Sequence, residues 1–161
     1  MNEKEPQYIT KIKDCMIDMP FFNKFGAEEL NVLAYKMALN HLEVKDYVFT
    51  EGDPGSFMGF VAKGELAVVK KTKHGKLKRL VFIRKGFTFG EMALADSYPR
   101  SASIIARVPS DILTLSQEQL DSLCEHHPKI ALKIMQGISR MLSLNLRRTS
   151  GELSDHLAKQ S

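Results

Sequence analysis

The chain has 161 residues and a formal net charge of +4 at pH 7, with 43% hydrophobic and 26% charged residues. This length and composition predict one cytoplasmic globular domain spanning residues 1–161. The polar start of the sequence argues against secretion, and no run approaches the ~20 apolar residues of a membrane span. The two cysteines, Cys15 and Cys124, indicate no disulfide framework.

Residues 1–40 are predicted to form N-terminal helices. Apolar residues between Tyr8 and Met19 recur at intervals of three and four, which marks one face of a helix. Pro20 ends this pattern, and a second apolar stripe begins near Ala27 and continues to Ala38.

The periodicity changes at His41. Residues 41–116 contain short β-rich runs that are separated by turn sequences at 52–55, 63–64 and 74–75. The run from Leu80 to Ile83 is typical of a buried strand. No helix in this region is long enough for a crossover between parallel strands, so the segment predicts an antiparallel β-barrel of the jelly-roll type. The predicted fold class is therefore mainly β with flanking α-helices.

Residues 117–161 are predicted to form two C-terminal helices. Ser116 and Gln119 have the spacing of a capping box, and Pro128 is suited to the first turn of the last helix. Apolar residues on that helix and one polar residue follow the three-four-three spacing of a coiled-coil seam, which predicts a homodimer. The alternative is that the same stripe packs on its own barrel. The stripe consists of Met135, Ile138, Leu142 and Asn145.

The stretch from 90 to 104, GEMALADSYPRSASI, carries the chemistry. Glu91 and Arg100 lie nine positions apart among small residues. A cyclic phosphodiester needs a cation with several donors, which a guanidinium and the amides of a short helix supply when nearby side chains are small. A glutamate can accept from a ribose hydroxyl. The alternative is that Glu91 and Arg100 pair with each other. The small residues are Gly90, Ala93, Ser101 and Ala102.

Two motifs resemble those of a known family. One runs Phe89-Gly90-Glu91-Met92-Ala93-Leu94, five further residues, then Arg100-Ser101-Ala102-Ser103-Ile104; the other is Gly52-Asp53-Pro54-Gly55 followed by an apolar strand and Gly64. With both motifs, the chain resembles the cyclic nucleotide-binding domains of catabolite-activator-like regulators, kinase regulatory subunits and nucleotide-gated channels. The resemblance covers about residues 20–148, and residues 89–104 match the phosphate-binding cassette. Gly59 departs from the family pattern, which is usually aromatic or aliphatic there.

The resemblance implies a role for each matching residue. Arg100 would bind the cyclic phosphate and Glu91 the ribose 2′-hydroxyl. Val68 and Leu80 would wall the base, although an ordinary core role fits each equally well. Asn145 would lie near the base, or would instead fix helix pairing. The remaining cassette contacts would come from Gly90, Met92, Ala93, Ser101 and Ala102.

The predicted function is that of a sensor of a cyclic mononucleotide, with cAMP favoured over cGMP. Binding would move the C-terminal helices and bias an effector protein or a dimer. Two alternatives remain open: a ligand-independent interaction module with a vestigial pocket, and the sensor half of a transcription regulator. The sequence ends about where the helix-turn-helix of catabolite-activator-like proteins would begin, so no direct contact with nucleic acid is expected unless the sequence is a fragment. The basic run between residues 70 and 79 is typical of a solvated face.

The sequence offers no catalytic constellation, so the protein is predicted not to be an enzyme and to need no cofactor. The serines near the cassette lack a histidine and an acid arranged to activate them. Cys124, His126 and His127 have no partner pair at zinc spacing, so no metal site is predicted.

Overall fold

Eight antiparallel strands form two four-stranded sheets in the computed structural model, which describes residues 6–96 and 98–159. The first sheet has the order β1-β8-β3-β6 and the second has the order β2-β7-β4-β5. The strands are β1 (Ala38–Leu42), β2 (Tyr47–Phe49), β3 (Phe57–Lys63), β4 (Glu65–Lys71), β5 (Leu77–Arg84), β6 (Thr88–Phe89), β7 (Ser103–Ala106) and β8 (Ser110–Ser116).

Helices precede and follow the strands along the chain, and one short helix lies between β6 and β7. A single 3-10 turn, Pro20–Phe22, separates the two N-terminal helices. The helices are α1 (Gln7–Ile17), α2 (Ala27–Ala34), α3 (Met92–Asp96), α4 (Gln117–His126) and α5 (Pro128–Ala158). Within the described residues, no helix combines the length and the apolar character that a membrane span requires.

The core has two parts because β3 is buried on both faces. One face of β3 contributes Val61 to a cluster between the two sheets. The other face contributes Met58 and Phe60 to a larger cluster beneath the helices. Helical members of the larger cluster include Ile12 of α1, Leu33 of α2 and Ile138 of α5. The helices therefore pack on one face of the first sheet. The second sheet packs against the other face of the first sheet.

The predicted fold class is confirmed, with one refinement. The strands are antiparallel and jelly-roll-like, but they form two facing sheets and not a closed barrel. The cap is also as predicted: the Ser116 hydroxyl accepts from the backbone N–H of Gln119 at 3.2 Å at the start of α4. Pro128 occupies the first turn of α5.

Two local predictions are wrong. The second helix ends at Ala34, because Ala38 pairs with Thr114 of β8 and begins a strand three residues before His41. The run from Leu80 to Ile83 is a strand, but of its members only Ile83 is buried, because β5 is an edge strand of the second sheet.

The predicted dimer seam on α5 is occupied by the protein's own core. Ile138 is 1% exposed in the helical cluster, and Met135 and Leu142 pack against the same cluster. This packing is the one that the alternative predicts, in which the stripe covers its own domain. Ile138 has no surface left for a second copy, whereas Met135 and Leu142 are half-buried.

A candidate ligand-binding cavity

A cavity of about 1000 Å³ lies where β4, β5, the segment after β6 and helix α5 meet. Its volume lies at the upper end of the range for small-molecule sites. The structure brings nine of the ten predicted site residues to its lining and leaves out Leu80. The nine are Val68, Gly90, Glu91, Met92, Ala93, Arg100, Ser101, Ala102 and Asn145.

Arg100 is a buried cation held without a carboxylate partner. Its side chain is 5% exposed, and its Nη2 donates to the carbonyl of Phe57 at 2.7 Å. The Nη1 atom donates to the carbonyl of Gly90 at 3.2 Å. The guanidinium carbon lies 3.9 Å from the ring centroid of Phe49 and 4.6 Å from that of Phe57, which adds cation–π attraction. Two carbonyls and two rings orient the guanidinium, and within residues 6–96 and 98–159 no carboxylate forms an ion pair with it.

The environment of Arg100 is suited to an anion. Burial lowers the pKa of the guanidinium, and the charges of Asp53 and Glu91 partly oppose that shift. An arginine stays protonated in proteins, so the charge remains. Its Nε atom is buried and has no hydrogen-bond partner among the described residues. A buried charge without a counterion is costly, and a bound anion would relieve that cost.

Glu91 contacts the last helix and not the arginine. The carboxylate is 7% exposed, and its Oε1 accepts from Nδ2 of Asn145 at 3.1 Å. No ion pair joins Glu91 and Arg100 within the part of the chain that the structure describes, so the predicted alternative of mutual pairing is wrong. The second carboxylate oxygen has no protein donor among the described residues, which leaves an acceptor at the cavity.

Gly90 is required where the chain passes Arg100. Its φ is +70°, and a Cβ there would lie 2.6 Å from Nη1 of Arg100. Ala93 is buried against Gly55, so a larger side chain at position 93 has no room. The small residues of the cassette therefore bring its backbone close to the guanidinium.

The short helix α3 offers fewer free amides than the sequence analysis expected. The backbone N–H groups of Ala93 and Leu94 donate to the carbonyls of Gly90 and Glu91 at 3.3 and 3.2 Å. Side-chain donors at the cavity include Arg100, the exposed Ser101 and Thr88, whose buried Oγ1 has no hydrogen-bond partner among the described residues.

The apolar wall is formed by Val68 and Val81, which face each other across β4 and β5. The prediction for Leu80 is wrong by one position, because the register shifts between Val68 and Val69 and leaves Leu80 55% exposed. Sequence reasoning also missed Phe49 and Phe57, the two rings that flank Arg100. Their only sequence signal was an apolar residue in a short strand, which any core position shares.

The family model described as "Cyclic nucleotide-binding domain" matches residues 39–127. The chain is 31% identical over 106 residues to a cAMP-dependent protein kinase regulatory subunit of Yarrowia lipolytica, covering 66% of this chain and 28% of that protein. It is 28% identical over 139 residues to the cyclic AMP receptor protein of Thermus thermophilus, covering 83% of this chain and 60% of that protein. The chain thus spans less than two thirds of the length of either relative.

The fold also matches a solved structure over nearly its whole length. A crystal structure of a cyclic nucleotide-binding domain from Methylobacillus flagellatus superposes with a TM-score of 0.80 at 27% sequence identity. The match covers 92% of this chain and 84% of that one. The resemblance first seen in two short motifs therefore extends to the arrangement of strands and helices.

Proposed function

The chain belongs to the cyclic nucleotide-binding domain family, and we propose that it is a sensor module whose cavity binds a 3′,5′-cyclic mononucleotide. One observation carries the proposal: Arg100 is a buried guanidinium with no ion pair to any described residue, at a cavity that also holds the buried Glu91. A cyclic nucleotide has one anionic phosphate beside a ribose hydroxyl. A neutral ligand would leave the charge of Arg100 uncompensated.

We assign the parts of the nucleotide by chemistry. The phosphate would accept from Arg100 and from the hydroxyl of Ser101, with the small side chain of Ala102 allowing close approach. The ribose 2′-hydroxyl would donate to Glu91. The base would lie against Val68 and Val81, the apolar pair that lines the cavity.

We propose cAMP as the favoured ligand over cGMP. Both relatives named above carry cyclic AMP in their names. Ser101, directly after the cassette arginine, is compatible with adenine and does not exclude guanine. Ligand binding would move the C-terminal helices, and this movement would change binding to an effector protein, as the regulatory names of the relatives suggest.

Calorimetric titration of the purified chain tests this proposal. cAMP should bind with measurable affinity and cGMP more weakly, whereas 5′-AMP should bind poorly because its phosphate is not cyclic and carries additional charge. The absence of heat with both cyclic nucleotides would contradict the proposal. Equal binding of 5′-AMP would contradict recognition of a cyclic phosphate.

We further propose that Glu91 transmits ligand binding to α5 through Asn145. The first half of α5 is fixed by buried Ile134 and Ile138 and by the 2.6 Å contact from Lys133 to Glu29 of α2. The second half borders the cavity and reaches the cassette through the Asn145–Glu91 hydrogen bond. A ribose hydroxyl on the free oxygen of Glu91 would hold the carboxylate still and so restrain this half of the helix.

Deuterium exchange tests the transmission. cAMP should slow exchange in residues 139–148 of the wild-type chain, and the Asn145→Ala variant should bind cAMP with less protection of that segment. Equal protection in both proteins would show that Asn145 is not the connection.

A homodimer remains a proposal, now through exposed leucines of α5 and not through the buried Ile138. Leu132, Leu146 and Leu153 are 59%, 68% and 58% exposed and lie fourteen and seven residues apart along α5. These intervals are multiples of seven, so the three leucines share one position of a coiled-coil heptad, with Ser139 at the same position between the first two.

A further inference from the structure

The basic residues of this chain are concentrated in one segment. Eight of the 23 lysines and arginines, and none of the 19 acidic residues, lie between residues 66 and 90. The rest of the chain therefore has a formal charge of −4. Solubility does not require such separation of charge, because dispersed charges serve it equally well.

Six of the eight cations lie on a projecting hairpin, residues 70–79, which we name the basic arm. β4 pairs with β7 only as far as Val69, so beyond that residue the arm is a two-stranded ribbon. Every residue of the arm except Thr72 is exposed. The cations of the arm are Lys70, Lys71, Lys73, Lys76, Lys78 and Arg79.

The charges of the arm are poorly compensated within the chain. Lys70 lies directly opposite Lys78 in the ladder, a like-charge pair that disfavours the hairpin. Glu51 is 3.8 Å from Lys70, and within residues 6–96 and 98–159 no ion pair reaches Lys71, Lys73, Lys76 or Lys78. An anionic partner would remove this repulsion.

The outer face of the second sheet, directly behind the arm, is apolar and also rimmed by cations. Leu66 and Val68 pack inward, so Ala67 and its neighbours in the ladder lie on the outer face. Ala67 lies opposite Phe82 and Ile105, and Ile105 lies opposite Tyr47, which is 48% exposed. The row of apolar residues therefore crosses all four strands, with Tyr47 exposed, Ile105 and Phe82 half-buried and Ala67 buried.

Two arginines border that row. The guanidinium carbons of Arg79 and Arg107 lie 4.3 and 4.4 Å from the ring centroid of Phe82. Arg107 and Arg84 share a single carboxylate, that of Glu65, at 3.2 and 2.7 Å. The helical core draws no described residue from β2, β4, β5 or β7, so no helix covers this face.

We infer that the basic arm and this outer face together form a docking surface for an acidic segment of a partner protein that also carries apolar side chains. Carboxylates would bind the arginines and lysines, and apolar side chains would cover the row from Tyr47 to Phe82. A nucleic acid backbone offers no aliphatic side chains for that row. A membrane would meet the tip of the arm and leave the flat face behind it uncovered.

Lysines on an edge strand also protect a sheet from pairing with another chain, and β5 is such a strand. That role accounts for Lys78 on β5, but not for arginines stacked over Phe82 on the face of the sheet. Phe82 and Arg84 also border the cavity, but the arm, Tyr47, Ile105 and Arg107 do not, so the inference does not require a bound nucleotide.

Fluorescence anisotropy with a defined probe tests the inference. The probe is a short labelled peptide of alternating glutamate and leucine, and a glutamate–serine peptide tests the need for apolar contacts. The double variants Lys71→Glu/Lys78→Glu and Arg79→Glu/Arg107→Glu should each weaken binding of the probe by about tenfold or more. The matched control Lys11→Glu/Lys129→Glu makes the same change in net charge at exposed sites on α1 and α5 and should have much less effect.

Several results would overturn the inference. Equal weakening in the control would mean that the probe responds to net charge alone, and absence of binding to the wild-type chain would leave the lysines as edge protection. Arm-dependent binding only to phosphatidylserine vesicles or to a DNA duplex would assign the surface to a membrane or to nucleic acid. Thermal unfolding checks each variant, and the Lys71→Glu/Lys78→Glu pair should fold because it removes the repulsion with Lys70.

Discussion

Arg100 and Glu91 are both buried charged residues, but they have different kinds of partners. Arg100 is oriented by carbonyls and rings and has no counterion, whereas Glu91 is linked by Asn145 to a distant part of the chain. The sequence predicted both residues and the small side chains around them. The hydrogen bond between Glu91 and Asn145 joins residues 54 positions apart, and no sequence pattern could have predicted it.

The carboxylate of Glu91 should matter only for ligands with a ribose 2′-hydroxyl. A hydrogen bond to a charged group contributes about 1.5–3 kcal/mol, so Glu91→Gln should weaken cAMP binding by about tenfold or more. The same variant should bind 2′-deoxy-cAMP nearly as well as the wild-type chain does. Calorimetry with both ligands measures the difference. Equal losses for the two ligands would assign Glu91 a structural role.

His41 should make stability depend on pH. Its Nδ1 lies 2.6 Å from Oδ1 of Asp111 and its Nε2 lies 3.3 Å from Oε1 of Glu43. The hydrogen bond to Asp111 is the main reason that the pKa of His41 is raised. The stabilisation is therefore complete below the unfolded-state pKa of about 6.5 and is lost as pH rises through the higher folded-state pKa.

Thermal unfolding at several pH values checks this prediction. The stability advantage of the wild-type chain over His41→Gln should shrink as the pH is raised above about 6.5. The control His74→Gln changes a histidine at the tip of the basic arm, away from this pair of acids, and should show no such trend. A constant difference between wild type and His41→Gln would contradict the assigned pairing.

At the scale of elements, turn and capping residues were the most predictable features. Gly64 and Gly75 lie in the left-handed region between strands, as the turn sequences indicated, and Ser116 caps α4. The departure at Gly59 also has a structural reason, because the ring of Phe89 fills the space where a side chain would lie.

Features that depend on partner strands were less predictable. A register shift in the β4–β5 ladder placed Val81, and not Leu80, at the cavity wall. The exposure of β5 follows from its edge position, which the apolar run from 80 to 83 does not encode. Likewise, the stripe through Ile138 has the same spacing whether it faces a second copy or its own sheet. Only the packing of α5 decides between these outcomes.

The turn between β6 and α3 should tolerate no side chain at position 90. Gly90→Ala combines a left-handed backbone, which costs about 1–2 kcal/mol for a residue with a Cβ, with a contact against Nη1 of Arg100. The variant should lose both stability and, by about tenfold or more, affinity for cAMP through displacement of the guanidinium.

Gly75→Ala is a matched control for that variant. Its φ is +75°, but nothing lies within 4 Å of the Cβ position, so it has the backbone cost without the contact. Thermal unfolding and calorimetry should show a similar loss of stability and unchanged affinity. Reduced affinity in the control, or unchanged affinity in Gly90→Ala, would show that the contact between position 90 and Arg100 does not determine nucleotide binding.

At the scale of the whole molecule, α5 extends well beyond the body that holds its first half. All residues from 146 to 158 are exposed, and they include Leu146 and Leu153. We expect the wild-type chain to dimerise through this face and Leu146→Glu to be monomeric, because a charge at a heptad core position disrupts the seam. Light scattering measures both states.

Ile17→Glu is the control for the dimer. Ile17 is 63% exposed on α1, so it is another exposed apolar residue whose replacement should leave the dimer intact. A wild-type chain that is monomeric at every concentration would contradict the proposed seam. The cavity and its ligand would be unaffected by that result.

The most direct test of the central claim is the affinity of cAMP for Arg100→Ala, measured by calorimetry beside the wild type and Arg100→Lys. Loss of a buried charged contact costs about 2–5 kcal/mol, so Arg100→Ala should bind at least about 30-fold more weakly. Arg100→Lys keeps the charge without the planar fork and should lie between the two. The alanine variant should remain folded, since it removes a buried charge that has no counterion. Wild-type affinity in a folded Arg100→Ala protein would contradict the assignment of this cavity to a cyclic nucleotide.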